Sequence, residues 1–336
     1  MPGDTTPLRI VGLEEHFVTT AVLDAGHALN PAGRDLAFIP ASQGETSRLL
    51  LDVADGRLSV MDATGLDVAV LSLTTPGLQN LSAADAVRLQ TGTNDTLAET
   101  VRSKPDRFQG LAALATQSGK GAATELRRAV AELGLDGAML FGRTGGKNLD
   151  HPDFWPIFET AEALRVPLHL HPQSPPAAVR DAYYAGFGAA VSDGFATHGV
   201  GWHYDSGVQF LRLVLAGVFD RFPDLQVVIG HWGELVLFYL ERIEHLAAMA
   251  GLELSMGQYV RRNLYVTPSG MRSERYLRWA TEVIGADRIM FATDYPFEET
   301  SRDGARAFLE GADIPESDRE LIAHGNWERL REGIVR

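Results

Sequence analysis

The sequence contains no cysteine, which excludes disulfides, thiolate metal sites, iron–sulfur clusters and a thiol nucleophile. That absence fits a reducing compartment. Basic residues are also few: 30 Lys and Arg stand against 44 Asp and Glu, a formal net charge of −14. An acidic chain of this kind does not suit a general binder of phosphate backbones, so no nucleic-acid partner is expected. No apolar run approaches the roughly 18–20 residues that a membrane span needs. The opening MPGDTTPLRIVGLEEH lacks the basic-then-apolar pattern of a secretory signal, and a cytoplasmic protein is expected. Linkers, internal repeats and low-complexity tracts are missing too.

What is present is a large apolar reserve, 45% of 336 residues, enough for a sizeable core. Short runs rich in Val, Ile and Leu fall at 8–16, 67–73, 108–113, 137–141, 167–171, 226–231, 263–267 and 288–294. They lack polar alternation, as parallel strands buried on both faces do. Helix-patterned stretches separate them, at 57–64, 82–104, 120–133, 154–164, 208–219, 234–249, 274–284 and 302–309, with a last one at 316–323. Ser82 and Asp85 resemble a capping box, and Gly65 and Gly134 are stop signals. Eight strands alternating with helices predict an α/β chain folded as a (β/α)8 TIM barrel, one domain spanning 1–336. A doubly wound sheet would place a Gly-rich turn after its first strand, where this chain has Glu14-Glu15-His16. The segments 17–48 and 173–204 read as insertions after strands 1 and 5, suited to an active-site rim.

Four strands end in polar residues. Along the first, Glu14 and His16 share one face and Glu15 takes the other, so the pair can chelate one divalent cation. The fifth ends in Leu168-His169-Leu170-His171. His171 reaches the C-terminal end, where a barrel builds its site. His169 lies one layer deeper, as a core residue, a partner that fixes a ligand's tautomer, or a substrate contact. The sixth delivers His231 to the rim with Glu234 three residues on. This is a fifth ligand, an acid/base histidine held by a carboxylate, or a helix-start Glu favoured by the dipole. The eighth ends in Asp294, a carboxylate costly to bury unless paired or metal-bound, or else a helix N-cap. Closure of a barrel brings Glu14, His16, His171, His231 and Asp294 to one mouth, a donor set for a divalent metal.

On these residues the chain resembles the amidohydrolase superfamily, and within it the metal-dependent decarboxylases of γ-resorcylate, 2,3-dihydroxybenzoate, 5-carboxyvanillate and aminocarboxymuconate semialdehyde. The matching stretches are LEEHF (13–17), RLSVMDATGLDVAVLSL (57–73), FQGLAAL (108–114), NLDHPDFWPIFETAEALRVPLHLHP (148–172), GVFDRFPDLQVVIGHWGE (217–234) and GADRIMFATDYPFE (285–298). The resemblance implies metal ligation by Glu14, His16, His171 and Asp294, with His231 and Glu234 beside the metal. Strand 4 ends Met139-Leu140-Phe141-Gly142 without the bridging lysine of binuclear relatives, so one Zn2+ or Mn2+ per chain is expected. Gln173, His169 and Trp232 depart from the family's usual residues and reshape the pocket. Phe17, Tyr183, Tyr184, Phe187, Trp202, His203 and Phe297 are candidates for its wall, and Arg242 resembles a family position near the site. A homodimer or homotetramer is implied by the same resemblance.

The reaction the resemblance implies is non-oxidative decarboxylation of a small hydroxyaromatic acid, with Asp294, by the same resemblance, protonating the ring carbon and His231 stabilising a substrate oxygen or relaying the proton. The alternative is a hydrolase or hydratase using metal-bound water, with His231 as base; fold alone does not separate the two. A non-catalytic scaffold is a third reading, against which the intact donor set argues.

Overall fold

Each β-strand at the centre of the molecule is buried along nearly its whole length, as a sheet covered on both faces requires. The computed structural model describes residues 7–298 and 304–336. The strands are β1 (Val11–Phe17), β2 (Val68–Leu73), β3 (Phe108–Gly110 and Ala112–Ala113), β4 (Ala138–Phe141), β5 (Leu168–His171), β6 (Val227–Ile229), β7 (Leu264–Val266) and β8 (Phe291–Ala292). Neighbours in sequence pair in parallel from β1 round to β7, with β3 passing the ladder on through its two pieces. A single bridge, Val266 to Ile289, joins β7 to the approach of β8, and β8 pairs with β1. The ring is therefore closed. Only the outer residues of several predicted strands fall outside the ladders.

Local chemistry explains the helices between strands. The Ser82 hydroxyl accepts the Asp85 N–H and donates to its carboxylate, opening helix Ala83–Ser103. Gly65, at φ 77°, ends helix Asp55–Thr64 in a left-handed cap. Two predictions at the C-terminal side need correction. The helix expected over 234–249 starts only at Leu240, because 231–239 forms turns first. The last helix runs past 323, through Leu321–Gly325 into Asn326–Glu332. The helix expected from 302 begins, within the described residues, at Gly304.

Two apolar layers hold the barrel. Val11, Leu13, Val68, Val70, Leu111, Met139, Val228 and Tyr265 fill its interior, and Trp327 joins them from the C-terminal helix, its Nε1 donating to Gln109 at 2.6 Å. A larger layer packs sheet against helices. The segment after β1 folds into short helices, including Thr20–Ala28 and Gly44–Leu51, and that after β5 into Ala177–Val179, Ala189–Gly194 and neighbouring helical turns. Both stand over the C-terminal mouth, where they wall a cavity of about 700 Å³.

Candidate active site and metal centre

A bulge between Gly12 and Glu15 shifts the register of β1 against β2. Glu14, within it, and His16, beyond it, face the barrel interior, where they meet His169 and Ser72, while Glu15 turns outward to Thr293. Phe17, one step on from His16, faces the helix layer and is buried in its core. Phe17 is therefore not a pocket residue, contrary to expectation.

His16, His171 and Asp294 bring one ligand atom each to within 4.8 Å of one another. The His171 Nδ1–H donates to the Pro172 carbonyl at 3.0 Å, which leaves the Nε2 lone pair for the cluster. His16 holds Ser72 at 3.4 Å through Nδ1, and its Nε2 is buried without a hydrogen-bond partner, 3.3 Å from Asp294 Oδ1. Burial and neighbouring positive charge keep both imidazoles neutral: His16 is lowered to about 3 and His171 falls well below its ordinary value. Burial, with the negative charge of Glu14, raises Asp294 well above the carboxylate range. Two imidazole lone pairs and an ionised carboxylate would repel one another in a dry site, and a divalent cation between them would remove the conflict. The nitrogen and oxygen donors thus fit a metal such as Mn2+ or Zn2+.

Glu14 stands just behind this trio. It accepts from His169 Nε2 at 2.5 Å, from Thr267 at 3.4 Å and from Ser269. Burial opposes its charge, but the attraction and hydrogen bond of His169, with His231 and His171 adding, outweigh burial and hold its pKa well below the ordinary range. His169 therefore lies beneath the site and orients Glu14 rather than lining the substrate cavity. The correction follows from its depth in β5, two residues before His171.

Across the mouth, His231 Nδ1 meets Glu234 Oε1 at 2.9 Å and His203 Nδ1 meets Glu234 Oε2 at 2.7 Å, so one fully buried carboxylate holds two imidazoles. Burial works against a charged His231, yet Glu234 raises it to about 10. The two rings lie 4.5 Å apart between centroids. Gly230 lets Ser269 and Glu14 close in on the backbone before His231: a Cβ there would lie 2.4 Å from Ser269 Oγ and 2.6 Å from Glu14 Oε1. Seven non-glycine residues among those described have left-handed φ, and six of them are here: Glu14, His231, Trp232, Glu234, Ser269 and Asp294. Each such residue costs roughly 1–3 kcal/mol, strain that persists where the surroundings over-determine it, typically at functional sites.

His171, His231, His203, Asp294, Trp202 and Phe297 all line the cavity. Phe297 packs edge-on against His16 at 5.6 Å, and Trp202 donates to Ser174 at 3.3 Å. Arg242, on helix Leu240–Met249, is exposed and outside that lining, because the turns after β6 delay the helix start. Tyr183 and Phe187 are 72% and 60% exposed on the outer surface, and Tyr184 packs on Phe195 instead. Trp232 faces the core and donates to the Met271 carbonyl at 2.8 Å. Sequence reasoning missed Ser269, which accepts the His231 N–H at 3.0 Å and donates to Glu14. The signal was the polar run Thr267-Pro268-Ser269 at the end of β7.

Comparison with known proteins follows the same lines. A model of the Amidohydrolase family matches residues 41–330. The γ-resorcylate decarboxylase of Polaromonas sp. (strain JS666) is 36% identical over 340 residues, covering 95% of this chain and 97% of that protein. Among solved structures, 5-carboxyvanillate decarboxylase from Sphingomonas paucimobilis superposes with TM-score 0.87 at 33% identity, covering 98% and 100% of the two chains. A dihydroxybenzoic acid decarboxylase from Polaromonas sp. JS666, with bound manganese and the inhibitor 2-nitroresorcinol, gives TM-score 0.83 at 33% identity over 96% and 97%. The barrel, the donor cluster at its mouth and these likenesses together make the chain a member of the amidohydrolase family.

Proposed function

We propose that this protein is a metal-dependent carboxy-lyase that removes CO2 from a small hydroxyaromatic carboxylic acid without oxidation. The observation that carries this reading is the convergence of the His16 and His171 Nε2 atoms and the Asp294 carboxyl beside the His231–Glu234 pair, at a mouth whose cavity His171, His231 and Asp294 line. Glu14, His16, His171 and Asp294 would hold one Mn2+ or Zn2+. When bound, that ion supplies a Lewis acid for the substrate's carboxylate and ortho oxygen.

The remaining work falls to the chain. His231, tied to Glu234 through Nδ1, presents its other nitrogen for the substrate oxygen on which charge develops. Asp294 places a proton on the ring carbon that carries the carboxylate. The bond to that carboxylate then breaks, CO2 leaves, and the electron pair of the broken bond restores the aromatic ring. Trp202 and Phe297 offer apolar faces for that ring. The left-handed backbone at Asp294 and His231 holds acid and oxygen-binding group in place before substrate arrives.

We also read the chain as one barrel domain in the cytoplasm, and as a homo-oligomer. The support for oligomerisation is a set of exposed side chains after β5 and β6: Tyr183, Phe187, Val191 and Phe238 are each 60% exposed or more. No helix among the described residues is long and apolar enough to cross a membrane. The direct test is metal analysis of purified protein with a CO2-release screen of ortho-hydroxybenzoates. About one Mn or Zn per chain with CO2 release is expected. Stoichiometric metal without CO2 from any such acid would favour a metal-dependent hydrolase or hydratase.

A further inference from the structure

The cavity changes character along its depth. Its floor carries His171, His231 and Asp294, whereas much of its outer wall is apolar, with Leu36 and Ile39 from the segment after β1, Trp202 from the segment after β5, and Met271 and Phe297 from the ends of β7 and β8 standing among Asp193, His198 and Glu298. Three of these remain open to solvent, Ile39 at 42%, Met271 at 38% and Phe297 at 39%. Long apolar side chains held around one mouth mark a surface that gains by being covered. At about 700 Å³ the cavity also exceeds what one benzene ring with its carboxylate and hydroxyl fills.

The charges on the wall point the same way. Asp193 and Glu298 line it, and the only Lys or Arg among its described lining residues is Arg34. The Arg34 guanidinium is turned to the chain: Nη2 donates to the carbonyls of His27 and Leu29, and the group lies 5.7 Å from the Phe38 ring centre. Asp35, the other acid at this edge, is taken up by Ser174 and the Ala37 N–H. A substrate carboxylate at the floor would meet the metal centre. A second carboxylate further out would meet two acids and apolar carbon, with a single guanidinium, Arg34, whose Nη2 is already bound to backbone carbonyls, and desolvating it there is costly.

We infer that the acid this site takes carries a single carboxylate and, on the side away from its carboxylate and ortho hydroxyl, an apolar substituent or a fused second ring. This rests on the decarboxylase reading for the chemistry at the floor, and adds the class of molecule that fills the rest. It sets this chain apart from the 5-carboxyvanillate decarboxylase it superposes on, whose named substrate bears an additional carboxylate.

The test is calorimetric titration of Mn2+-loaded protein with three matched acids, together with CO2 release from each. The acids are 2-hydroxybenzoate, 3-hydroxy-2-naphthoate, which adds a fused apolar ring opposite the chelating pair, and 4-hydroxyisophthalate, which adds a carboxylate. The naphthoate is expected to bind about tenfold tighter than 2-hydroxybenzoate, the scale that burial of its extra ring carbons implies, and the isophthalate at least tenfold weaker. In Ile39→Ser, an exposed position that folding tolerates, the naphthoate advantage falls to about threefold. A naphthoate no tighter than 2-hydroxybenzoate, an isophthalate as tight, or an advantage unchanged in Ile39→Ser overturns the inference, as does the failure of all three to bind. The predicted binding order without CO2 from any acid upholds it and defeats the decarboxylase reading. CO2 from 2-hydroxybenzoate with no naphthoate preference defeats this inference alone.

Discussion

At the scale of single residues, Asp294 and Glu234 carry opposite assignments. Burial and the nearby Glu14 charge raise Asp294 above the usual carboxylate range, whereas Glu234 is lowered, burial notwithstanding, by His231 and His203. Asp294→Asn should lower kcat by about 10²–10⁴-fold, the range for loss of a positioned general acid. The check is steady-state CO2 release with metal content measured on the same sample; substantial turnover by metal-bound Asp294→Asn would count against its role. Glu234 has a signature in stability. It raises His231 from 6.5 to about 10, so the stabilisation it gives is fully present below pH 6.5 and is lost as pH rises through 10. Urea unfolding of chelator-treated protein should show that loss, a few kcal/mol, between those limits. Glu234→Gln should flatten the same curve, because the carboxylate that favours the imidazolium is gone.

Elements set where those residues stand, and here the sequence was partly legible. The eight apolar runs name the eight strands because a parallel strand buried on both faces has no other composition available to it. Glu14, His16, His171, His231 and Asp294 could be read as one mouth for the same reason: each ends such a run. Phe17 and Arg242 were misplaced by features that composition does not reveal. For Phe17 it is the side-chain alternation after a bulge in β1, and for Arg242 the left-handed turn from His231 to Glu234 that moves the next helix start to Leu240. His203 was named for the pocket, yet its bond to Glu234 arises from a fold-back of the segment after β5 that no local pattern announces. The turn after β6 has a sharp dependence on Gly230. A methyl there meets Ser269 and Glu14 at 2.4 and 2.6 Å, so Gly230→Ala should cost roughly 1–3 kcal/mol of stability and weaken metal binding, because it displaces Glu14. Thermal unfolding and metal titration of that variant read both effects; wild-type values for both would show that the turn has room to spare.

Taken as a whole molecule, the barrel places at its C-terminal mouth groups that do not stabilise it: buried imidazole nitrogens without hydrogen-bond partners, a raised carboxyl and a run of left-handed residues. A bound divalent ion relieves several of these at once. Chelation should therefore lower Tm by several degrees, and Mn2+ should restore it in a concentration-dependent way, as linkage requires. A Tm indifferent to chelator would mean the cluster is not a metal site. The exposed Tyr183, Phe187, Val191 and Phe238 predict that light scattering coupled to gel filtration gives a mass of at least twice 36.5 kDa, and a monomer would contradict the homo-oligomer. The central claim, that this mouth protonates carbon and expels CO2, is tested most directly by one mass-spectrometric run. Metal-loaded enzyme turns over 2,6-dihydroxybenzoate in D2O, and the product is weighed. The expected product is a phenol that has lost CO2 and gained one deuterium at the vacated ring carbon. A product that retains the carboxylate and carries solvent oxygen would contradict the claim.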